Sequence, residues 1–195
     1  MCRLSAALLA LAPYVLGTPF SLTERDYSNS TCTNDSTHNF QWLVEGFDFH
    51  ASYIFSTPAH QNSWGYVNFN LSNPAVPDLL LSCSAQSDQL QDFFYGTQWY
   101  KCTTNGTSYG PAPASFAFNR PTGELDINQT WTCRDRDPKW PTTFHGSGKA
   151  NLSLGCVTTN YQNPNWTIGE IYSDEEIKCS PETLTVKPYL MTAVA

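Results

Sequence analysis

Positive charge is scarce in this sequence. Ten Lys and Arg stand against 17 Asp and Glu, a formal net charge of −7, and only 14 % of the 195 residues are charged at all. A surface of that sign repels phosphate backbones, and no basic cluster interrupts it, so nucleic acid and anionic membranes are poor partners. Long apolar runs are missing too: beyond Leu16 no segment approaches the roughly 20 apolar residues that a membrane-spanning helix needs. Nor do apolar residues recur at helical spacing over three turns. The one stretch suited to a helical turn is SDQLQDFF, with Ser87 or Asp88 as its cap.

The motifs of common catalytic machinery are likewise absent. There is no Gly-x-Ser-x-Gly elbow, no His-Glu-x-x-His and no phosphate loop. No Cys-x-x-Cys or Cys/His spacing suggests zinc. The four histidines, His38, His50, His60 and His145, are far apart in sequence with no i, i+2 or i, i+4 pair, and read as surface residues rather than a metal site. No metal, cofactor or catalytic residue is therefore assigned.

What the chain does have begins at its N-terminus. MCRLSAALLALAPYVLG carries one early cation, Arg3, an apolar run to Leu16, and Val15 and Gly17 at positions that suit cleavage. Residues 1–17 are read as a signal peptide, 18–39 as a polar, flexible lead-in, and 40–195 as one domain. Cleavage removes Cys2 and leaves six cysteines, Cys32, Cys83, Cys102, Cys133, Cys156 and Cys179. An even set in an exported chain predicts disulfides. Seven asparagines, Asn29, Asn34, Asn70, Asn105, Asn128, Asn151 and Asn165, fit the glycan acceptor pattern. They are half of the 14 in the chain, where chance would give about two or three matches, which again points to export.

Between these landmarks the sequence alternates. Phe47, Phe49, Ala51, Tyr53 and Phe55 fall on every second residue; so do Val67, Phe69 and Leu71, then Leu125, Ile127 and Trp131, then Ala150, Leu152 and Leu154. That is the period of half-buried strands. Asn70, Asn128 and Asn151 fall on the polar phase, where a glycan would have solvent. Shorter strands are expected at 79–84, 98–102, 115–119, 167–172 and 183–187, separated by Pro/Gly/Asn turns. Eight to eleven short antiparallel strands predict an all-β domain, a single barrel or barrel-like sandwich. Cys133 and Cys156, each at the end of an inward phase, would bridge the two longest strands; Cys83 and Cys102 would close a loop, and Cys32 would join Cys179. Sequence alone leaves the other pairings open.

Candidate chemistry is thin. Asp135 and Asp137 in CRDRDPKW could form a carboxylate pair, but they alternate with Arg134 and Arg136, and salt bridging in a polar turn accounts for them more simply. Asp174, Glu175 and Glu176 read as a solvated turn. The aromatic residues are more suggestive. Between Cys83 and Cys102 lie Phe93, Phe94, Tyr95, Trp99 and Tyr100, and three consecutive rings cannot all point one way. They predict either a plug at the open end of a barrel or a contact surface.

The stretch CSAQSDQLQD (83–92), followed by WYKC (99–102), resembles the segment Cys-Ser-Ala-Gln-x-Asp-x-Leu-x-Asp, then Trp-Tyr-x-Cys, of the Alternaria alternata allergen 1 family. The resemblance spans about residues 40–180 and is specific at 83–102. It implies secreted fungal origin, an antiparallel β-barrel, a Cys83–Cys102 disulfide and no enzymatic activity. It also implies a role as allergen, elicitor or effector that binds host extracellular defence proteins such as thaumatin-like ones. The chain departs from the pattern in a longer loop before Trp99 and in insertions around Pro111 and Pro138. In the family an N-terminal cysteine can join two subunits, so a homodimer is a further expectation, to which an internal partner for Cys32 would be a rival.

The leading expectation is a secreted, non-catalytic binder of a host defence protein, with Phe93, Phe94, Tyr95, Trp99 and Tyr100 as its contact residues. A cell-wall or carbohydrate-binding module is the alternative. A small hydrolase using Asp135, Asp137 or His145 is the lesser one.

Overall fold

The computed structural model describes residues 32–104 and 112–195; the expected signal peptide, Asn29 and Asn105 lie outside the described residues. The described chain forms one short helix, α1 (Cys32–Thr37), and 12 strands. These are β1 (Trp42–Thr57), β2 (His60–Ser72), β3 (Leu80–Ser87), β4 (Tyr100–Lys101), β5 (Thr103–Thr104), β6 (Ala114–Asn119), β7 (Glu124–Cys133), β8 (Thr142–Asn151), β9 (Cys156–Gln162), β10 (Ser173–Cys179), β11 (Glu182–Val186) and β12 (Pro188–Val194). Alternation builds the long ones. In β7 Leu125, Ile127, Gln129, Trp131 and Cys133 are buried while the residues between them are not.

All strand pairs are antiparallel and fall into two sheets. The first runs β5-β3-β2-β1-β10-β9, with β11 also on β1; the second runs β12-β8-β7-β6-β4. At two places a single residue separates strands of different sheets. β4 pairs with β6 in the second sheet, and two residues later β5 pairs with β3 in the first, with Cys102 at the crossing. Likewise β11 lies on β1 and β12 on β8. Strands that switch sheets make the corners of a packed sandwich, so the result is a barrel-like sandwich whose sheets do not close into one hydrogen-bonded barrel.

Strand β1 is long enough to serve two neighbours on one edge. Its first half pairs with β11 and its second with β10, and the register shifts around Gly46, whose φ of 64° a glycine adopts without strain. The half beside β11 packs against the second sheet. The half beside β10 runs on as a wing, a geometry that shapes the site below.

The core between the sheets is aromatic. Phe40 stacks on Trp131 with ring centroids 4.9 Å apart and meets Trp42 edge-on at the same distance; Phe47 packs on Phe118 at 5.1 Å and Phe69 on Phe116 at 4.9 Å. Burying each such ring contributes about 1.5–3 kcal/mol. Room for Trp42 comes from Gly146 and Gly148: a Cβ at Gly148 would lie 2.6 Å from its ring. The indole N–H of Trp42 donates to Gln129 Oε1 at 2.7 Å, and Asn73 Nδ2 donates to the same oxygen at 2.8 Å, while Gln129 Nε2 is buried without a partner among the described residues.

Several expectations are corrected. Cys83 does pair with Cys102, but Cys32 joins Cys133 and Cys156 joins Cys179. The reason is that the chain leaves the second sheet after Asn151, so Cys156 opens β9 in the other sheet, directly opposite Cys179 on β10. The end of the lead-in is not free chain. Residues 32–37 form α1, docked where the Trp131 N–H donates to Ser36 Oγ at 2.8 Å, with Asp135 accepting from Thr33 N and Oγ1 at 3.1 and 2.7 Å. SDQLQDFF forms turns rather than a helical turn, residues 167–172 form a hairpin tip, and Asp174, Glu175 and Glu176 lie inside β10.

Candidate functional site

The loop from Cys83 to Cys102 is held by hydrogen bonds from Ser87 to Gly96, and strand pairing resumes at Tyr100. Ser87 Oγ donates to Phe93 O, Tyr95 O–H donates to Leu90 O, Gly96 N donates to Phe118 O at 2.8 Å, and Arg120 N donates to Phe94 O at 2.9 Å. Arg120 also lies 3.6 Å from the Asp92 carboxylate and over the Phe49 ring at 5.1 Å. Gln91 and Phe93 take left-handed φ values of 73° and 64°, costing on the order of 1 kcal/mol or more each, which the surrounding bonds must over-determine.

That backbone course decides where the rings go. Phe93 and Phe94 are fully buried, Phe93 against Tyr53 at 4.8 Å and Phe94 among Phe49, Tyr100 and Phe118. They plug the end of the sandwich and cannot be contact residues, which corrects the expectation for both. Tyr95 is half-buried, its hydroxyl used within the loop. Tyr100 is half-buried on Phe116 at 5.5 Å, and burial pushes its phenol pKa up. Of the five rings only Trp99 stands in solvent, 45 % exposed, and Leu90 at the turn is 60 % exposed.

Beside this loop the wing of the first sheet forms an open cleft of about 820 Å³. Its floor continues the core face. Past Phe47, Phe49 and Ala51, that phase of β1 emerges as Tyr53 and Phe55. Across the strands, Ser63, Tyr53, Glu175 and Asn160 make one row, and Gln61, Phe55, Ser173 and Gln162 the next. Leu90 and Gln91 form a wall. Tyr53 is braced by Phe93 and by Arg120, whose Nη1 donates to its hydroxyl at 3.4 Å; burial raises its pKa, with Arg120 opposing. Neighbouring Asp174 has its pKa raised by burial first and by Glu176 second. Apart from Leu90 and Gln91 none of the described residues lining the cleft falls in the loop that the sequence singles out. The alternation marks Tyr53 and Phe55 as inward but not as lying beyond the reach of the opposite sheet.

The residues weighed for catalysis have other work. Asp135 holds the start of α1, and Asp137 Oδ1 accepts from the backbone of Lys139 and Trp140. His145 bonds Thr130 Oγ1 at 2.8 Å, three residue rows from Cys133 along β7 and β8. Among the described residues the one group with metal-ligand proximity is Cys32, Cys133 and Asp135, and its two sulfurs are joined in a disulfide. Of the described sequons, Asn34, Asn70, Asn151 and Asn165 are exposed, and Asn128 is half-buried between Ser115 and Ser147.

Residues 44–179, more than half of the chain, match the family described as Alternaria alternata allergen 1. The chain belongs to that family. Allergen 1 membership points to a non-enzymatic protein, and together with three disulfides it is consistent with a secreted one. The matched span contains the Cys83–Cys102 bridge, which is formed as the family pattern implies. No curated protein and no solved structure matches the chain. Cys32, the N-terminal cysteine that could have joined two subunits, is spent inside the chain on Cys133.

Proposed function

We propose that this allergen 1 protein is a secreted glycoprotein that acts by binding a host extracellular defence protein, of the thaumatin-like kind or similar, and breaks no bonds. One observation carries the reading: the loop 83–102 is locked by a disulfide, two buried rings and a buried-face hydrogen-bond set, yet it presents Trp99 and Leu90 to solvent. An exposed Trp on a rigid backbone is a low-entropy anchor of the type that dominates protein interfaces. The acidic surface favours partners with basic patches.

Affinity capture from plant extracellular fluid tests it. Immobilised protein is expected to retain a defined host protein identified by mass spectrometry, and Trp99→Ala to release it. Equal retention by both forms, or none by either, contradicts the reading.

A further inference from the structure

We infer that the cleft on the wing of the first sheet is a binding site for a neutral oligosaccharide, separate in chemistry from the protein-binding loop. The inference goes beyond the reading above and does not rest on it.

The lining is what such a ligand requires. A sugar ring offers an apolar C–H face and a rim of hydroxyls that both donate and accept. Tyr53 and Phe55 supply aromatic surface in adjacent rows of the floor. Around them Gln61, Asn160 and Gln162 supply carboxamides, each able to donate and accept, with Ser173 and Glu175 between. Two of the amides are already oriented. Gln61 Nε2 donates to Ser63 Oγ at 2.6 Å and Gln162 Nε2 donates to Tyr172 O–H at 3.2 Å, which leaves their carbonyl oxygens for a ligand. Each row crosses four strands, three spacings or about 14 Å, the length of a short oligosaccharide.

Charge narrows the class. Asp174 and Glu175 line the cleft and, among the described residues, no Lys or Arg does. Anionic sugars and phosphates are therefore disfavoured. The volume of about 820 Å³ lies within the usual range for small-ligand sites, roughly 300–1,000 Å³. Polarity also argues against an extended apolar peptide, because both rows offer side-chain amides where such a segment would need apolar pockets.

Calorimetric titration of the purified secreted protein with laminarihexaose, cellohexaose and chitohexaose, with hexagalacturonate as the anionic comparator, decides the matter. Saturable binding is expected for at least one neutral hexamer and not for hexagalacturonate. Phe55→Ala is expected to weaken that binding about tenfold. Because Phe55 is half-buried, the double variant Asn160→Ala/Gln162→Ala, at two exposed positions, serves as the fold-neutral version with an expected loss of about tenfold. Trp99→Ala should bind sugar as the parent does, since Trp99 does not line the cleft. No binding to any neutral hexamer, tightest binding to hexagalacturonate, or undiminished binding by the double variant overturns the inference. Loss of the host protein on Trp99→Ala while sugar binding stays absent would uphold the protein-binding reading alone, so the two can fail separately.

Discussion

Single residues show where this fold tolerates least. Gly148 has no space for a side chain, because Trp42 occupies it and a Cβ would also come within 3.0 Å of the Lys187 carbonyl. Gly148→Ala is expected to cost about 1–3 kcal/mol, read as an earlier midpoint in guanidinium unfolding, through overpacking. Asp174 is a second sensitive point. Burial raises its pKa above the ordinary 3.8, so the native state binds its proton more tightly than the unfolded chain does. Below that ordinary value both states are protonated and nothing is lost; as the pH rises through the folded value, stability falls. Asp174→Asn is therefore expected to raise the melting temperature slightly, about 1 °C, at pH 7 and to leave it unchanged near pH 3. A gain at pH 3 equal to that at pH 7 would remove the explanation.

Residue-scale reading of the sequence succeeds where burial is two-valued. Trp131, Ile127 and Leu125 are inward in the sequence and buried in the structure. It stops short at Phe93, Phe94 and Tyr95. Their directions depend on left-handed backbone at Gln91 and Phe93, which no composition signal marks because neither position is Gly or Asn. A ring run with no period is equally compatible with a plug and with a surface.

At the scale of elements, the disulfides divide the labour. Cys83–Cys102 pins the segment that crosses between sheets, Cys156–Cys179 ties the wing's outermost strand to β10, and Cys32–Cys133 anchors α1. The sequence separations are 19, 23 and 101 residues. By chain entropy the first two closures are worth about 3 kcal/mol each and the third nearer 4.7. Cys32→Ser/Cys133→Ser is thus expected to lose the most stability of the three double substitutions, measured by urea unfolding. A smaller loss than that of Cys83→Ser/Cys102→Ser would show that docking of α1, not closure of the long loop, sets its contribution.

Elements also explain what the sequence left illegible. The strands β1, β2 and β7 could be seen because each has one dry face; of β8 only the end around Ala150 was seen, because the alternation at Leu152 and Leu154 lies past the strand. Strand β10 could not: on the wing its inward residues are Ser173 and Glu175, so the polar run around Asp174 reads as a turn. Helix α1 has six residues, too few for a periodic signal, and exists through Asp135, Trp131 and Cys133 far along the chain. Disulfide pairing followed strand order, which alternation does not contain.

At the scale of the whole molecule, two sheets sharing switched strands make a rigid body whose first sheet is longer than its second. The covered part is a dry aromatic core and the uncovered part a polar cleft, with the Trp99 loop stapled at the corner between the sheets. Both surfaces suit adhesion, and the family to which the chain belongs points away from catalysis. The central claim is that Trp99 on its locked loop anchors a host protein. Its most direct measurement is the dissociation constant of the captured partner for the parent and for Trp99→Ala, taken at matched melting temperatures. The account predicts a loss of at least tenfold with the fold unchanged; equal affinities would contradict it.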